Sequence, residues 1–572
     1  MLREFKMMGI AGLMLVCMSC AKASMEVRYL AADRPMVVLY GIGDDKQLYA
    51  AGSLPRQTEV RVNTGECIRK NETEYLPVLV GDSVLYVLED NTAQTPVGCV
   101  LEKRIWVRTP ASVIDDTLSS RICGLAQKGS AYAVVGYDRL DNAGCVNRYK
   151  IRYCDSIEGY IFAKYCVFSE REAFRRYRPL WQDSVHARVR NTFGGGDASG
   201  CDYYPVEKPD FTGNKMPQSC YALYLNISPA VIGKIDSFIS LARQTEINTF
   251  VIDIKDNECP GYKADAMKRY SPTNYKWGGA NKEQMYHYAL KRLHEEGFYA
   301  VGRITCFKDS YFVKDNPSCA ITDKATGQPL YHNHANWPSA YDRRVWQFNV
   351  ELAKEAVRKF GFNEINFDYV RFPDKMTSIE TQVDYHNRFN ESKVQAIQRF
   401  VQYACDELHQ LGVYVSVDVF GESANRGYTT PYGQYWPALS NVADVMCGMP
   451  YPDHFAAGYG GIDKPWNNPY KTLSVWAKSV QGRQSETPSP ARVRTWVQAY
   501  HVMHYVDPDG IDYDAANVEK EIRALFDAGL TGGYTTWLSS SSLERYTKLK
   551  KAFTIDYLSE AEMRQKDENL PR

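Results

Sequence analysis

The sequence of 572 residues carries no net charge, because 68 Lys and Arg balance 68 Asp and Glu. No overall field therefore draws the chain towards nucleic acid or an anionic membrane surface. It has no apolar run of the roughly 18 or more residues that a membrane-spanning helix requires. It has no GxSxG elbow, so a serine hydrolase of the α/β type has no support. Its one glycine-rich passage, Phe193-Gly194-Gly195-Gly196-Asp197 through Gly200, is not followed by the Lys-Ser/Thr and opening helix of a phosphate cradle. That passage reads as a linker. Paired CxxC spacing is missing outside the first 20 residues. Of 15 cysteines, removing Cys17 and Cys20 leaves 13, an odd number that favours neither an all-disulfide frame nor a zinc ribbon. Cys67 with Cys99, Cys154 with Cys166, and Cys201 with Cys220 stand as candidate local disulfides in an exported chain, with buried thiols as the alternative.

Arg3 and Lys6 precede a short apolar stretch, Met7 to Val16, followed by Cys17-Met18-Ser19-Cys20 and Ala21-Lys22-Ala23. This is the pattern of a secretory signal. Ser19-Cys20 resembles a lipoprotein cleavage site, which would make Cys20 the acylated N-terminus; cleavage after Ala23 is the competing reading. The chain is expected in the periplasm or at the cell surface, touching a membrane only through such a lipid anchor.

What the sequence does have is 44% hydrophobic residues and 41 tyrosines, enough for large cores and for surfaces that stack on sugars. After the signal (1–23), short β-rich runs separated by Gly, Asp and Asn turns fill 24–105, and the texture restarts over 106–192. Residues 193–218 read as the linker. From 219 to 555 the period changes. Strand-like runs begin near Leu223, Phe250, Ala300, Ile365, Val413, Val445, Thr495 and Gly533, and amphipathic helices such as Val345, Phe348, Leu352, Ala356 lie between them. Gly297, Gly412 and Gly529 sit where helices should stop. Eight β-α units predict an α/β fold, a (β/α)₈ TIM barrel, with an open doubly wound sheet as runner-up. Residues 556–572 are left as a tail.

Side chains of a barrel strand alternate between lumen and helix layer. In Ile365-Asn366-Phe367-Asp368-Tyr369 the apolar residues share one parity, leaving Asn366 and Asp368 inward; around strand five, Val413, Val415, Val417 and Val419 face out, leaving Ser416 and Asp418 inward. The same count adds Asp253, Lys255 and Arg303 on strands two and three, with Gln498 and Trp537 on strands seven and eight. Two carboxylates at neighbouring strand ends are what glycoside cleavage needs, one to protonate the leaving oxygen and one to stabilise or attack the oxocarbenium-like carbon. Asp368 and Asp418 fit that pair, and Glu422 is a rival proton donor. Tyr451 and His454, after strand six, are candidate substrate contacts. His332-Asn333-His334 has the HxH spacing of metal hydrolases but lies in the loop after strand three without further ligands, so no metal or other cofactor is expected. Oxygen ligation of calcium by Asp253, Asp256 and Asp309 would lack a dedicated loop.

Two resemblances follow from these residues. Gly159-Tyr160-Ile161 closes a stretch that resembles bacterial SH3-like modules, two in tandem, which implies contact with cell-wall peptides or packing on a catalytic domain. Asn366-Phe367-Asp368-Tyr369-Val370-Arg371-Phe372-Pro373, with Val251 to Asp256, Gly302-Arg303-Ile304, Phe307-Lys308-Asp309, Asp418-Val419-Phe420-Gly421, Tyr451-Pro452 and Trp496-Val497-Gln498, resembles a family of bacterial secreted proteins of glycoside hydrolase type, whose signature reads like DYVRFP. That family looks distantly similar to the α-amylase barrels. The resemblance implies Asp368 as nucleophile, Asp418 or else Glu422 as acid/base, and Arg371 or Arg303 as the cation orienting Asp368. Ala499 stands where an acidic residue of strand seven would be expected, so a third catalytic carboxylate is missing there. The reading is an enzyme cleaving O-glycosyl bonds of a polysaccharide or cell-envelope glycan, with no nucleic-acid partner. The alternatives are a non-catalytic glycan- or peptidoglycan-binding protein and an envelope scaffold working through its SH3-like half.

Overall fold

A computed structural model describes residues 25–175, 197–279, 283–425 and 430–568. The signal, with Cys20, and the glycines 194–196 lie outside the described residues. No described helix is long and apolar enough to cross a membrane.

The chain forms two compact units, one of residues up to 105 together with 131–164, the other of 106–130 and 165 onward. In the first unit, antiparallel strands including Met25–Leu30, Met36–Ile42, Leu48–Pro55, Glu59–Asn63, Thr73–Val80 and Ser83–Leu88 make one sheet. Alternation explains the burial of Met36–Ile42: Val37 and Leu39 are buried while Met36 and Val38 are exposed. The inward residues join Leu30, Val60, Val62, Leu76, Val78 and Val87 in one core. Ala131–Tyr137, Arg148–Cys154 and Ile157–Phe162 form an antiparallel meander in the same unit. The buried Arg56–Glu102 ion pair, 2.5 Å, receives the Tyr149 hydroxyl at 2.9 Å.

In the second unit, the hairpin of Ala111–Ile114 and Ile122–Ala126 falls with the barrel. Tyr403 donates to the Ser120 carbonyl at 2.9 Å, and Lys354 reaches both the Ser120 hydroxyl and Glu407 at 2.9 Å. The eight expected strands are all present: Cys220–Leu225, Thr249–Asp256, Tyr299–Thr305, Glu364–Asp368, Tyr414–Phe420, Val445–Met449, Thr495–Gln498 and Gly533–Trp537. All are parallel, in sequential order, and the first pairs with the eighth. Strand seven closes the ring in two pieces: Arg492–Val493 pairs with strand six, and Thr495–Gln498 pairs with strand eight. This is the (β/α)₈ barrel.

The helix Arg343–Phe360 shows how sequence sets the outer layer. The Asp342 side chain caps it by accepting from the Arg344 amide, Val345, Phe348, Leu352 and Ala356 are buried on one face, and Gly361 ends it at φ 78°. Helix Lys393–His409 opens with a capping box of Ser392 and Gln395. Gly297, Gly412 and Gly529 take φ between 71° and 79° after their helices, as expected. Residues 197–218 run along the barrel, where Asp202 and Tyr203 are buried, and Tyr557–Glu568 form a helix with Tyr557 fully buried. The candidate disulfides are absent. Cys67, Cys99, Cys154, Cys166, Cys201 and Cys220 are in no disulfide, nor is any other described cysteine side chain.

Candidate active site

Register places the two carboxylates side by side. Strands four and five pair Glu364 with Tyr414, Ile365 with Val415, Asn366 with Ser416 and Phe367 with Val417. Continuing one step sets Asp368 level with Asp418 on adjacent strands, which are about 4.8 Å apart in a sheet. Both line a cavity of about 250 Å³ at the C-terminal mouth, together with Arg303, Arg371, Tyr451, His454 and Trp537.

The Arg303 guanidinium is the centre of this mouth. Its side chain is 3% exposed. It donates to Asp253 at 2.7 Å and to Asp368 through its other terminal nitrogen, and it lies 3.5 Å from Asp256 and 3.8 Å from Asp418. One cation therefore faces four carboxylates. Burial raises the Asp418 carboxyl to about 8, the charge of Asp368 adds to the rise, and Arg303 opposes it. Its Oδ1 accepts from the Trp496 indole at 2.8 Å and from the Asn366 amide at 2.9 Å, while Oδ2 has no hydrogen-bond partner. A proton held by Asp418 therefore sits on Oδ2. Asp368 accepts the Tyr369 amide at 2.5 Å. Tyr369 itself takes φ 51°, a left-handed conformation costly for an aromatic residue and characteristic of functional turns. Burial raises Asp253 to about 7, against the pull of Arg303; the Tyr224 hydroxyl also donates to it.

Four expected residues stand outside the cavity lining. Asp253 lies fully buried beneath it and acts through Arg303. Lys255 pairs with Asp309 at 3.0 Å and with the Asn257 carbonyl at 3.1 Å. Gln498 serves the loops, donating to the Tyr500 carbonyl at 3.3 Å and accepting the Asp453 amide at 3.4 Å. Glu422 is exposed and takes the Tyr432 hydroxyl. Arg303, and not Arg371, is the cation on Asp368; Arg371 contacts Asp374 at 3.2 Å. Burial lowers His454 at the rim.

Three contributors escaped the strand-parity count as site residues. Trp496 shares the parity of Gln498 and could have been found by it. Asn366 faces inward by that count, and its part in the site shows only in its bond to Asp418. Tyr224 lies in a strand apolar throughout its neighbourhood, so no polar signal singled it out.

Of the oxygen ligands considered for calcium, Asp253 is taken by Arg303 and Asp309 by Lys255. His332 bonds the Asp374 carbonyl at 2.7 Å from a hairpin. Among the described residues one group has metal-ligand composition, Cys405, His409 and Asp444. It lies away from the cavity, with His409 bonded to Asp444 at 2.8 Å.

No curated protein matches the sequence. Among solved structures, a hypothetical protein from Ruminiclostridium thermocellum is 31% identical over 34% of this chain and 97% of its own, with a TM-score of 0.29. The PgaB glycoside hydrolase domain from Bordetella bronchiseptica is 10% identical over 59% of this chain and 99% of its own, with a TM-score of 0.41. A chitobiase from Flavobacterium johnsoniae is 12% identical over 63% of this chain, which spans 52% of that protein, with a TM-score of 0.37. The family described as "Putative glycosyl hydrolase domain" matches residues 222–543. That stretch holds all of the mouth residues above, and the chain belongs to this glycosyl hydrolase domain family.

Proposed function

We propose that the barrel hydrolyses O-glycosyl bonds of a polysaccharide or cell-envelope glycan, with Asp418 as proton donor and Asp368 as nucleophile. The observation that carries this reading is the difference between two adjacent carboxyls in one cavity. Asp368 has a guanidinium as direct counter-ion, whereas Asp418 is raised to about 8 by burial and by Asp368 itself. A carboxylic acid that keeps its proton at neutral pH can protonate a leaving oxygen, and its ion-paired neighbour can attack or stabilise the anomeric carbon. As the glycosyl carbon moves onto Asp368, Arg303 remains bonded to that side chain and to Asp253, so orientation is kept through the step. Asp418 then takes a proton from the incoming water. The level register of the two strand ends favours the short carboxyl separation, roughly 5–5.5 Å, of a retaining enzyme. Trp537 and Tyr451 supply aromatic walls for a sugar ring.

The test is release of reducing ends from a panel of polysaccharides and cell-wall glycans, with the anomeric configuration of the first product followed by NMR. Retention of configuration is expected. Turnover of no glycan by the folded wild type, with glycan binding intact, would sink the catalytic reading and leave a binding protein. Export belongs to the same proposal and rests on the signal; lipid labelling that is lost in Cys20→Ser supports the anchor, and labelling that survives the substitution refutes it. The SH3-like reading of the N-terminal sheets, with cell-wall contact, is proposed on the same footing.

A further inference from the structure

The mouth carries one cation that the hydrolytic step does not use, Arg371, and a second, Lys308, lies on the rings that wall it. Arg371 lines the cavity with its side chain only 6% exposed. Its Nη1 donates to the Phe372 carbonyl at 3.1 Å and to Asp374 at 3.2 Å. Its Nε and Nη2 hydrogens have no protein partner among the described residues, although a buried guanidinium ordinarily satisfies its fork. Aromatic rings wall it in: its guanidinium carbon is 4.6 Å from the Phe420 ring centre, 4.9 Å from that of Tyr369 and 5.1 Å from that of Trp337.

Lys308 stands on the same rings. Its ammonium is 5.2 Å from the centre of Tyr369 and 6.0 Å from that of Trp337, and no carboxylate pairs with it among the described residues. Asp374 already meets Arg371 through Nη1, so what stands open to an added anion is the Nε and Nη2 edge of the guanidinium. The turn that carries Arg371 there is the strained one at Tyr369, just after Asp368. Strain held beside an underused guanidinium marks a place shaped for a ligand.

We propose that Arg371, helped by Lys308, holds an oxyanion substituent of the glycan, so that the substrate is an acidic sugar chain. A forked guanidinium with two open donors matches the two oxygens of a carboxylate, and it also accepts the oxygens of a sulfate or phosphate ester. The aromatic walls shut out water and strengthen the pairing. This inference rests on the hydrolase reading of the same cavity, but it is tested by binding rather than turnover.

The experiment is calorimetric titration of the full chain and of its Asp368→Asn variant with glucuronate, galacturonate, glucose 6-sulfate and glucose 6-phosphate, against glucose and galactose. Acidic sugars should bind about tenfold or more tightly than their neutral counterparts, a difference of about 1.4 kcal/mol. The preference should collapse in Arg371→Gln and shrink in Lys308→Gln, whose half-exposed site tolerates change should the buried arginine prove necessary for folding. Which acidic sugar binds best distinguishes carboxylate from ester. Equal affinity for neutral and acidic sugars, no binding of any of them at millimolar concentration, or a preference untouched in both variants overturns the proposal. Turnover of neutral glycans without an acidic preference would refute it while leaving the hydrolase standing. An acidic preference in a chain that cleaves nothing would do the reverse.

Discussion

Two buried clusters of arginine and carboxylate occupy the lumen of the same barrel, and they differ in stoichiometry. Near the strand starts, Arg494 faces Glu364 one to one. Both Glu364 oxygens are taken by that guanidinium, and the Tyr299 hydroxyl adds a bond at 3.2 Å. Neither Arg494 nor Glu364 lines the cavity at the mouth. At the strand ends Arg303 faces Asp253, Asp256, Asp368 and Asp418. Burial raises Asp253 to about 7 and Asp418 to about 8, the neighbouring acids Asp256 and Asp368 add to the rise, and the single cation opposes it only in part. Burial of a charge pair is thus shared by both ends of the lumen. What sets the mouth apart is the surplus of acid, the buried and unpartnered Asp418 Oδ2 and the cavity that Asp418 lines.

The comparison breaks if the two clusters respond alike to substitution. Asp418→Asn should lower turnover by about 10²–10⁴-fold, the usual contribution of a general acid, and Asp368→Asn by at least as much, with folding unchanged by circular dichroism. Glu364→Gln should act on stability instead. Leaving Arg494 buried beside a neutral amide should cost about 3–5 kcal/mol in denaturant unfolding, and the surviving folded fraction should turn over normally per molecule.

The comparison sharpens with pH. Asp418 and Asp253 bind protons more tightly folded than unfolded, so between about pH 4 and their folded values of about 8 and about 7 the folded state holds protons that the unfolded chain has released. Stability should therefore fall as pH rises through that window, and the slope should flatten in Asp418→Asn. Activity should fall about tenfold per pH unit above about pH 8, as the donor loses its proton. The smallest effect is expected at Glu422. It is exposed and bonded to Tyr432 outside the cavity, so Glu422→Gln should change turnover by less than about twofold, in keeping with an ordinary surface substitution. A loss comparable to that of Asp418→Asn would move the proton donor to Glu422.

The barrel was legible because its strands are short apolar runs at regular intervals, punctuated by helices whose stop glycines are visible. Parity along strands four and five placed Asp368 and Asp418 correctly, since those strands keep an unbroken period of two. It failed at Lys255 because the ladder between strands two and three shifts register between Asp253 and Lys255, which turns the lysine away to Asp309. The role of Arg303 could not be read from spacing alone. Its partners come from strands two, four and five, and only closure of the ring brings them to one guanidinium. The disulfide candidates failed for a related reason: nearness in sequence carries no information about sulfur geometry. Ala499, just after strand seven, carries no acid, and the third buried carboxyl is Asp253 on strand two, one of the residues that the inward count includes.

Strand seven, split at Arg494, gives the barrel a seam. Its first piece holds only strand six and its second only strand eight, so amide hydrogens there should exchange with solvent before those of strand four, which is laddered continuously on both sides. Trp496 lies in the second piece and donates its indole hydrogen to Asp418. Opening of the seam would therefore reach the indole that holds the proposed acid's Oδ1, which ties the hydrogen-bonding of Asp418 to the weakest joint of the ring.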